Sequence, residues 1–321
     1  MLSDYKTCYS KSKQNTFEGN WIGSLFAEHI LTGKSRIRGK LVSVFDGAVN
    51  IKTTDNRLFV ITKNKVRSPI TLNVIQDGGN HSFKKFMKFG SIIGGSHDQV
   101  MIDNKKSIGV GKSRLFQSNL GNITIRSLSN FRDKFDFIFP SMIKLGRSGC
   151  LLSPDITTRG LLPEQIRAIN SNGKKTDDDA AFAKFMGSTL GKLCGRGPGY
   201  TPAGDDFISG FLIMFNWCAN CLDFERINLP QEYSTMTSWT SYKLIEYSQG
   251  CVCDEEIQAM VNSVALGRAD EYMKKMVPLS SRGHTSGIDL VTGITCALYT
   301  LIDRKFRTSM LDKLNSYLRK S

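Results

Sequence analysis

Two stretches of this sequence combine glycine, hydroxyl and carboxylate residues in a pattern that could do chemistry. The first is Cys194-Gly195-Arg196-Gly197-Pro198-Gly199-Tyr200-Thr201-Pro202-Ala203-Gly204-Asp205-Asp206-Phe207-Ile208-Ser209-Gly210. Gly195, Gly197 and Gly199 fall at every second position, so the backbone can take positive φ and approach a ligand closely. Thr201-Pro202 reads as a helix start, with Thr201 as N-cap and Pro202 as first helical residue. Phe207, Phe211, Leu212, Ile213 and Phe215 carry that helix to about Leu222. A glycine loop feeding a helix N-terminus presents backbone N–H groups and a partial positive charge, which suit an anion.

The second stretch, His284-Thr285-Ser286-Gly287-Ile288-Asp289-Leu290-Val291-Thr292-Gly293, aligns without a gap on Thr201 to Gly210. Gly204 falls on Gly287, Asp206 on Asp289, Ser209 on Thr292 and Gly210 on Gly293. In each copy an Asp is followed four residues later by a Gly on the same helix face. The pattern predicts two helices crossing near their N-termini, with Asp206 and Asp289 facing one space. Gly195, Arg196, Gly197, Gly199, Thr201, Gly204, Asp205, Thr285, Ser286 and Gly287 are the candidate ligand-binding residues around it. Backbone N–H groups would hold the anion, and Arg196 would add a charge-assisted bond. Asp206 and Asp289 would accept from an amide NH₂ or hold a Mg²⁺ that bridges to phosphate. His284 is the expected titrating acid or base. The plainer reading is a tight turn, two carboxylates offsetting helix dipoles, and a close helix crossing.

These residues need elements to position them. At 321 residues the chain is long enough for two domains. The period changes along it. Asn20 to Leu31 reads as a short amphipathic helix in an N-terminal extension, residues 1–35. Short β-type runs follow at 41–45, 48–52, 58–61, 70–74, 91–93, 100–102, 107–110 and 123–125, with a helical turn at His81 to Phe86. They predict an antiparallel β domain over 36–150, barrel- or sandwich-like, whose end is covered by Phe131, Phe135, Phe137, Ile138, Phe139, Met142, Ile143 and Leu145. Residues 151–321 read as a helical domain carrying the glycine loop and the Asp/Gly repeat. The expected class is α+β.

Charge is uneven. Residues 1–150 hold 24 Lys and Arg against 10 Asp and Glu, and the remainder is balanced. An anionic partner for the first domain, or simply a basic solvated surface, accounts for that excess. No apolar run is long enough to span a bilayer and no secretory h-region opens the chain, so a cytoplasmic location is expected. Ile108-Gly109-Val110-Gly111-Lys112-Ser113 is not a P-loop, because position 106 is Lys106 rather than Gly. Cys218, Cys221, Cys251 and Cys253 have spacing compatible with zinc, yet read equally as small core residues. Asp177-Asp178-Asp179 marks a helix start.

The block from Gly195 to Asp206 resembles the signature of the family that includes AllH, a subunit of bacterial oxamate carbamoyltransferase. Gly283-His284-Thr285-Ser286-Gly287-Ile288-Asp289 is similar to its second block. Gly39 to Phe45 with Ala48 to Ile51 is similar to its opening strands, so the resemblance spans about residues 36–302. Arg196 and Tyr200 stand where the family pattern has apolar residues. The resemblance implies carbamoyl transfer in purine and allantoin catabolism, in which oxalurate and phosphate exchange with oxamate and carbamoyl phosphate. It also implies FdrA-type partner subunits. The rival reading is a non-catalytic scaffold or nucleic-acid-binding module acting through the basic first domain. No RNA-binding signature and no basic stripe interleaved with aromatics is read in the sequence, so nucleic acid is not the expected partner.

Overall fold

Nine short strands build the first of two compact units, 1–117 and 118–321. The computed structural model describes residues 17–32, 37–75, 82–153, 161–173 and 177–320. The strands are β1 (Phe17–Gly23), β2 (Gly39–Val44), β3 (Ala48–Thr53), β4 (Leu58–Thr62), β5 (Thr71–Ile75), β6 (Ile92–Ser96), β7 (Gln99–Ile102), β8 (Lys106–Gly109) and β9 (Arg114–Phe116). They run β5-β4-β3-β2-β6-β7-β8-β1, and β1 pairs back onto β5, closing an eight-stranded barrel with β9 added beside β1. Most pairings are antiparallel; β4–β5, β1–β8 and β1–β9 are parallel. Leu41, Val49, Ile51, Phe59, Ile61, Leu72, Ile93, Val100 and Ile108 fill the interior with no exposed surface. Closure leaves no long unpaired edge.

The start of the barrel differs from the expected helix at Asn20. Trp21 and Ile22 belong to β1, where they pair with Asn73 and Leu72 of β5 and with Arg114 and Leu115 of β9. A bulge between Gly19 and Trp21 breaks the alternation and hides the strand from periodicity. Only then does helix begin, as α1 (Ser24–Phe26) continuing into a π-helical turn at Ala27–Leu31. His81 lies outside the described residues; the turn beside it is a 3₁₀ segment, Phe83–Lys85, whose Lys84 N–H donates to the Ser82 hydroxyl.

The second unit contains α2 (Ile125–Arg132), α3 (Phe135–Lys144), α4 (Leu161–Gly173), α5 (Asp179–Gly191), α6 (Ala203–Leu222), α7 (Trp239–Gln249), α8 (Glu255–Ala265), α9 (Ala269–Ser280), α10 (Ser286–Phe306) and α11 (Met310–Lys320). Here the compact units divide at Gln117/Ser118 rather than near 150. Phe131, Phe135, Ile138, Phe139 and Met142 join the helical core, Ile143 and Leu145 pack against it, and Phe137 is exposed. Phe135 packs edge-on against Tyr299 of α10 at 5.0 Å. Residues 123–125 are not a strand, since Thr124 caps α2 with its hydroxyl accepting from Ser127 N–H.

Helices α6 and α10 are buried on nearly every side, the mark of central helices. The triple aspartate is accounted for locally: Asp178 caps α5, Asp179 pairs with Arg304, and Asp177 pairs with Arg307. Cys218, Cys221, Cys251 and Cys253 are free thiols. Among the described residues, no group of three or more His, Cys, Asp or Glu side chains is placed to hold a metal ion. No helix of the described residues is long and apolar enough to cross a membrane.

Candidate functional site

The two helices of the repeat meet through main chain. A Cβ added at Gly210 would overlap Leu290 O and stand 3.1 Å from Ile294 N; one added at Gly293 would overlap Phe207 O and stand 2.8 Å from Phe211 N. The contacts are reciprocal, and they join the same counterparts that the sequence repeat aligns. Six residues earlier, Gly204 and Gly287 also pack against main chain, here Leu193 O and Leu279 O of the segments that precede each helix. At each of these four glycines a Cβ would run into main-chain oxygen, so all four permit close packing.

At the N-termini of α6 and α10 the side chains converge. The Thr201 hydroxyl donates to Asp206 Oδ2 at 3.1 Å and shares a 3.0 Å hydrogen bond with the Ser286 hydroxyl. Ser286 also bonds Asp206. Asp289 has no exposed surface. Its Oδ1 accepts from Leu151 N–H at 2.7 Å, whereas its Oδ2 is buried without a hydrogen-bond partner among the described residues. Burial pushes the Asp206 carboxyl up to about 7, against the opposing pull of Ser286, Thr201 and the Arg282 charge. Burial pushes Asp289 up to about 8, and the charge of Asp206 adds to the rise. Arg282 is held nearby by Asp254 at 2.7 Å and Glu256 at 3.6 Å.

Asp205 and Asp206 part company although adjacent. Asp205 is buried and turned into the protein, where Oδ1 accepts from Gly195 N–H at 2.8 Å and Oδ2 accepts from the Thr237 and Ser241 hydroxyls. It pins the glycine loop to the start of α7. Asp205→Ala leaves three donors without their acceptor, and the buried Ser241 hydroxyl among them costs about 1–3 kcal/mol. A melting temperature within a degree of wild type would refute that anchoring role.

The loop itself is left-handed at three points, with φ +71° at Gly195, +92° at Gly197 and +115° at Gly199. Among the described residues, the N–H groups of Gly197 and Gly199 are taken up by no carbonyl or side chain. Arg196 is exposed on this loop. Helix α6 starts one residue later than expected: Pro202 is its N-cap, and Thr201 turns its hydroxyl to Asp206 instead. Thr285 is buried at the N-cap of α10, where its hydroxyl opposes the rise of the Asp289 carboxyl. His284 stands exposed on the turn, without a bond to either carboxylate. The carboxyls that burial raises at the crossing are those of Asp206 and Asp289.

One stretch was not legible in the sequence. Residues 146–153 pass beside the crossing: Leu151 donates to Asp289, and a Cβ on Gly149, at φ +85°, would lie 3.4 Å from Pro198 Cγ and 3.8 Å from Thr285 Cγ2. Cys150 is buried there near Asp289, its thiol raised by desolvation and its sulfur accepting from Arg147 N–H at 3.3 Å. The available signal was weak, a Gly-x-x-Gly-Cys run between two helical patterns.

The arrangement can hold an anion against two helix N-termini and accept hydrogen bonds from a donor group between two carboxylates. No curated protein and no solved structure matches the chain. Residues 193–298, about a third of the chain, which run from the glycine loop into α10, match the family model described as oxamate carbamoyltransferase subunit AllH, so the part that builds this crossing is similar to that family.

Proposed function

We propose that this chain is a subunit of a carbamoyl-transferring enzyme, with the carbamoyl-bearing substrate held between the N-termini of α6 and α10. The observation that carries the reading is the buried, unpartnered Oδ2 of Asp289 beside Asp206, inside the segment that matches the family model. A buried carboxylate oxygen without a donor is costly. A carbamoyl or oxamate NH₂ supplies the donors, and a phosphate or carboxylate on the same substrate takes the N–H groups of Gly197 and Gly199 with Arg196 as counter-charge. Negative charge that develops on the carbamoyl oxygen during transfer faces the positive ends of two helices. Carboxylates raised to about 7 and 8 are poised to take the proton of an attacking amine near neutral pH. Exposed His284 would then exchange that proton with solvent. A Mg²⁺ held by both carboxylates with the Thr201 and Ser286 hydroxyls is the second reading of the same oxygens. FdrA-type subunits are the proposed partners, and oxamate, phosphate and carbamoyl phosphate the proposed ligands.

Calorimetric titration with oxamate, phosphate and carbamoyl phosphate, with and without Mg²⁺, tests both readings. Asp206→Asn and Asp289→Asn are expected to abolish the binding heat in a folded protein. Full binding by both variants would defeat the site. Heat that appears only with Mg²⁺ would select the metal reading.

Gly199→Ala is a separate probe of the loop. A methyl at this left-handed position stands 2.9 Å from Thr201 O and costs about 1–2 kcal/mol of backbone strain. It also displaces an anion from the adjacent N–H groups, so the phosphate-induced thermal shift should shrink more than the melting temperature falls. Pro202→Ala, which keeps the helix, is the control. A full phosphate shift in Gly199→Ala would leave the loop as a turn only.

A further inference from the structure

The barrel carries charge that carbamoyl transfer does not use. Residues 1–117 contain 19 Lys and Arg against 8 Asp and Glu. Part of the excess is organised. Lys52, Lys40 and Ile92 are register neighbours across β3, β2 and β6. Lys40 is exposed between buried Gly39 and Leu41, and Ile92 is 41% exposed before buried Ile93. With strands about 4.8 Å apart, these three side chains form a row across the outer barrel wall.

A basic, aromatic segment lies beside that row: Phe83-Lys84-Lys85-Phe86-Met87-Lys88-Phe89. It is an interleaved stripe of the kind that the sequence alone did not bring to notice. Gly90 N–H donates to Leu41 O at 2.8 Å and Leu41 N–H to Ser91 O at 2.9 Å, which fixes the end of the segment against β2. Phe83 and Met87 turn inward as anchors, leaving Lys84, Lys85, Lys88 and Phe89 outside. Phe89 is 78% exposed. Asp46 engages Lys84 and the Ser82 hydroxyl, and Lys85 and Lys88 stand exposed on the same segment as the ring.

We infer that this wall of the barrel binds single-stranded nucleic acid, with Lys40, Lys85 and Lys88 on phosphates and Phe89 stacked on a base. Amines flanking an exposed aromatic face are the combination that holds single strands without sequence preference. A duplex fits less well, because the wall projects no helix or ribbon to enter a groove. A membrane surface fits less well too, since one ring and three amines give only marginal attachment. The inference is independent of the carbamoyl-transfer reading.

Fluorescence anisotropy of labelled oligothymidylate, titrated with the full chain at about 50–200 mM salt, tests it. Three phosphate contacts predict a log–log salt slope of about −2. Phe89→Ala should weaken binding about 5- to 100-fold with that slope unchanged, while Lys88→Gln should reduce the slope by about 0.7. Both side chains are exposed, so both variants should melt with the wild type. Three results would overturn the inference: no binding at the lowest salt, equal binding by Phe89→Ala, or binding to phosphatidylserine vesicles with none to the oligonucleotide.

Discussion

Asp289→Asn is expected to cost ligand binding and yet to raise the melting temperature at alkaline pH. The Asp289 carboxyl has no exposed surface, one oxygen bonded to Leu151 N–H and the other unpartnered. Its charged form is the unfavourable one, and burial lifts it from 3.8 to about 8, as it lifts Asp206 to about 7. In the unfolded chain both carboxyls lose their protons near pH 3.8, whereas in the folded chain they keep them until about 7 and 8. The folded state therefore binds more protons throughout that window, and stability falls as pH rises across it. The contribution is fully present below the unfolded value and is lost once pH passes the folded values.

The amide side chain introduced by Asp289→Asn stays neutral at every pH and keeps an acceptor for Leu151 N–H. The share of the slope that Asp289 contributes disappears, so the variant's advantage over wild type should grow as pH rises through the window above 3.8 and level off above about pH 8, while it binds no oxamate or carbamoyl phosphate. Thermal melts from about pH 5 to about pH 9 measure this. A wild-type melting temperature that climbs across that range would refute the buried-proton account.

Gly293→Ala is expected to give the largest loss of stability. The new methyl would overlap Phe207 O and sit 2.8 Å from Phe211 N, and neither atom can rotate away as a side chain could. Overpacking of a close core contact costs about 1–3 kcal/mol, and backbone obstruction puts this site at the upper end. That corresponds to about 2–4 °C in melting temperature per kcal/mol for a domain of this size. Gly210→Ala should behave alike, since the contacts are reciprocal. Gly47→Ala is the control, with nothing within 4 Å of the added Cβ. Urea unfolding compares the three. A Gly293→Ala protein as stable as Gly47→Ala would mean that α6 and α10 have room to spare.

The Asp/Gly repeat was readable because it rests on local spacing: an aspartate and a glycine four residues apart, twice, on one face of an apolar helix. The crossing of α6 and α10 follows from that pattern. The split fate of Asp205 and Asp206 was not readable, because it depends on Thr237 and Ser241, more than thirty residues downstream. The Leu151 contact likewise spans 138 positions, and no local signal announces such a partner. Strand β1 was missed for a different reason. Strand β1 is interrupted by a bulge and pairs with strands far along the chain, so its residues imitate helical spacing. The move of Phe131 to Met142 into the helical core shows a further limit: apolar content says that a segment is buried, not which core buries it.

The reciprocal glycine contacts also bear on how a ligand is chosen. Sliding or turning either helix would drive backbone into backbone, so the two N-termini are held like the fixed jaws of a gauge. On the proposed reading, a ligand would meet a gap whose width is set before it arrives, and little of its interaction energy would go into ordering the protein. Selection then falls on the distance between a molecule's donor end and its anionic end, with less latitude for length than for the identity of the anion.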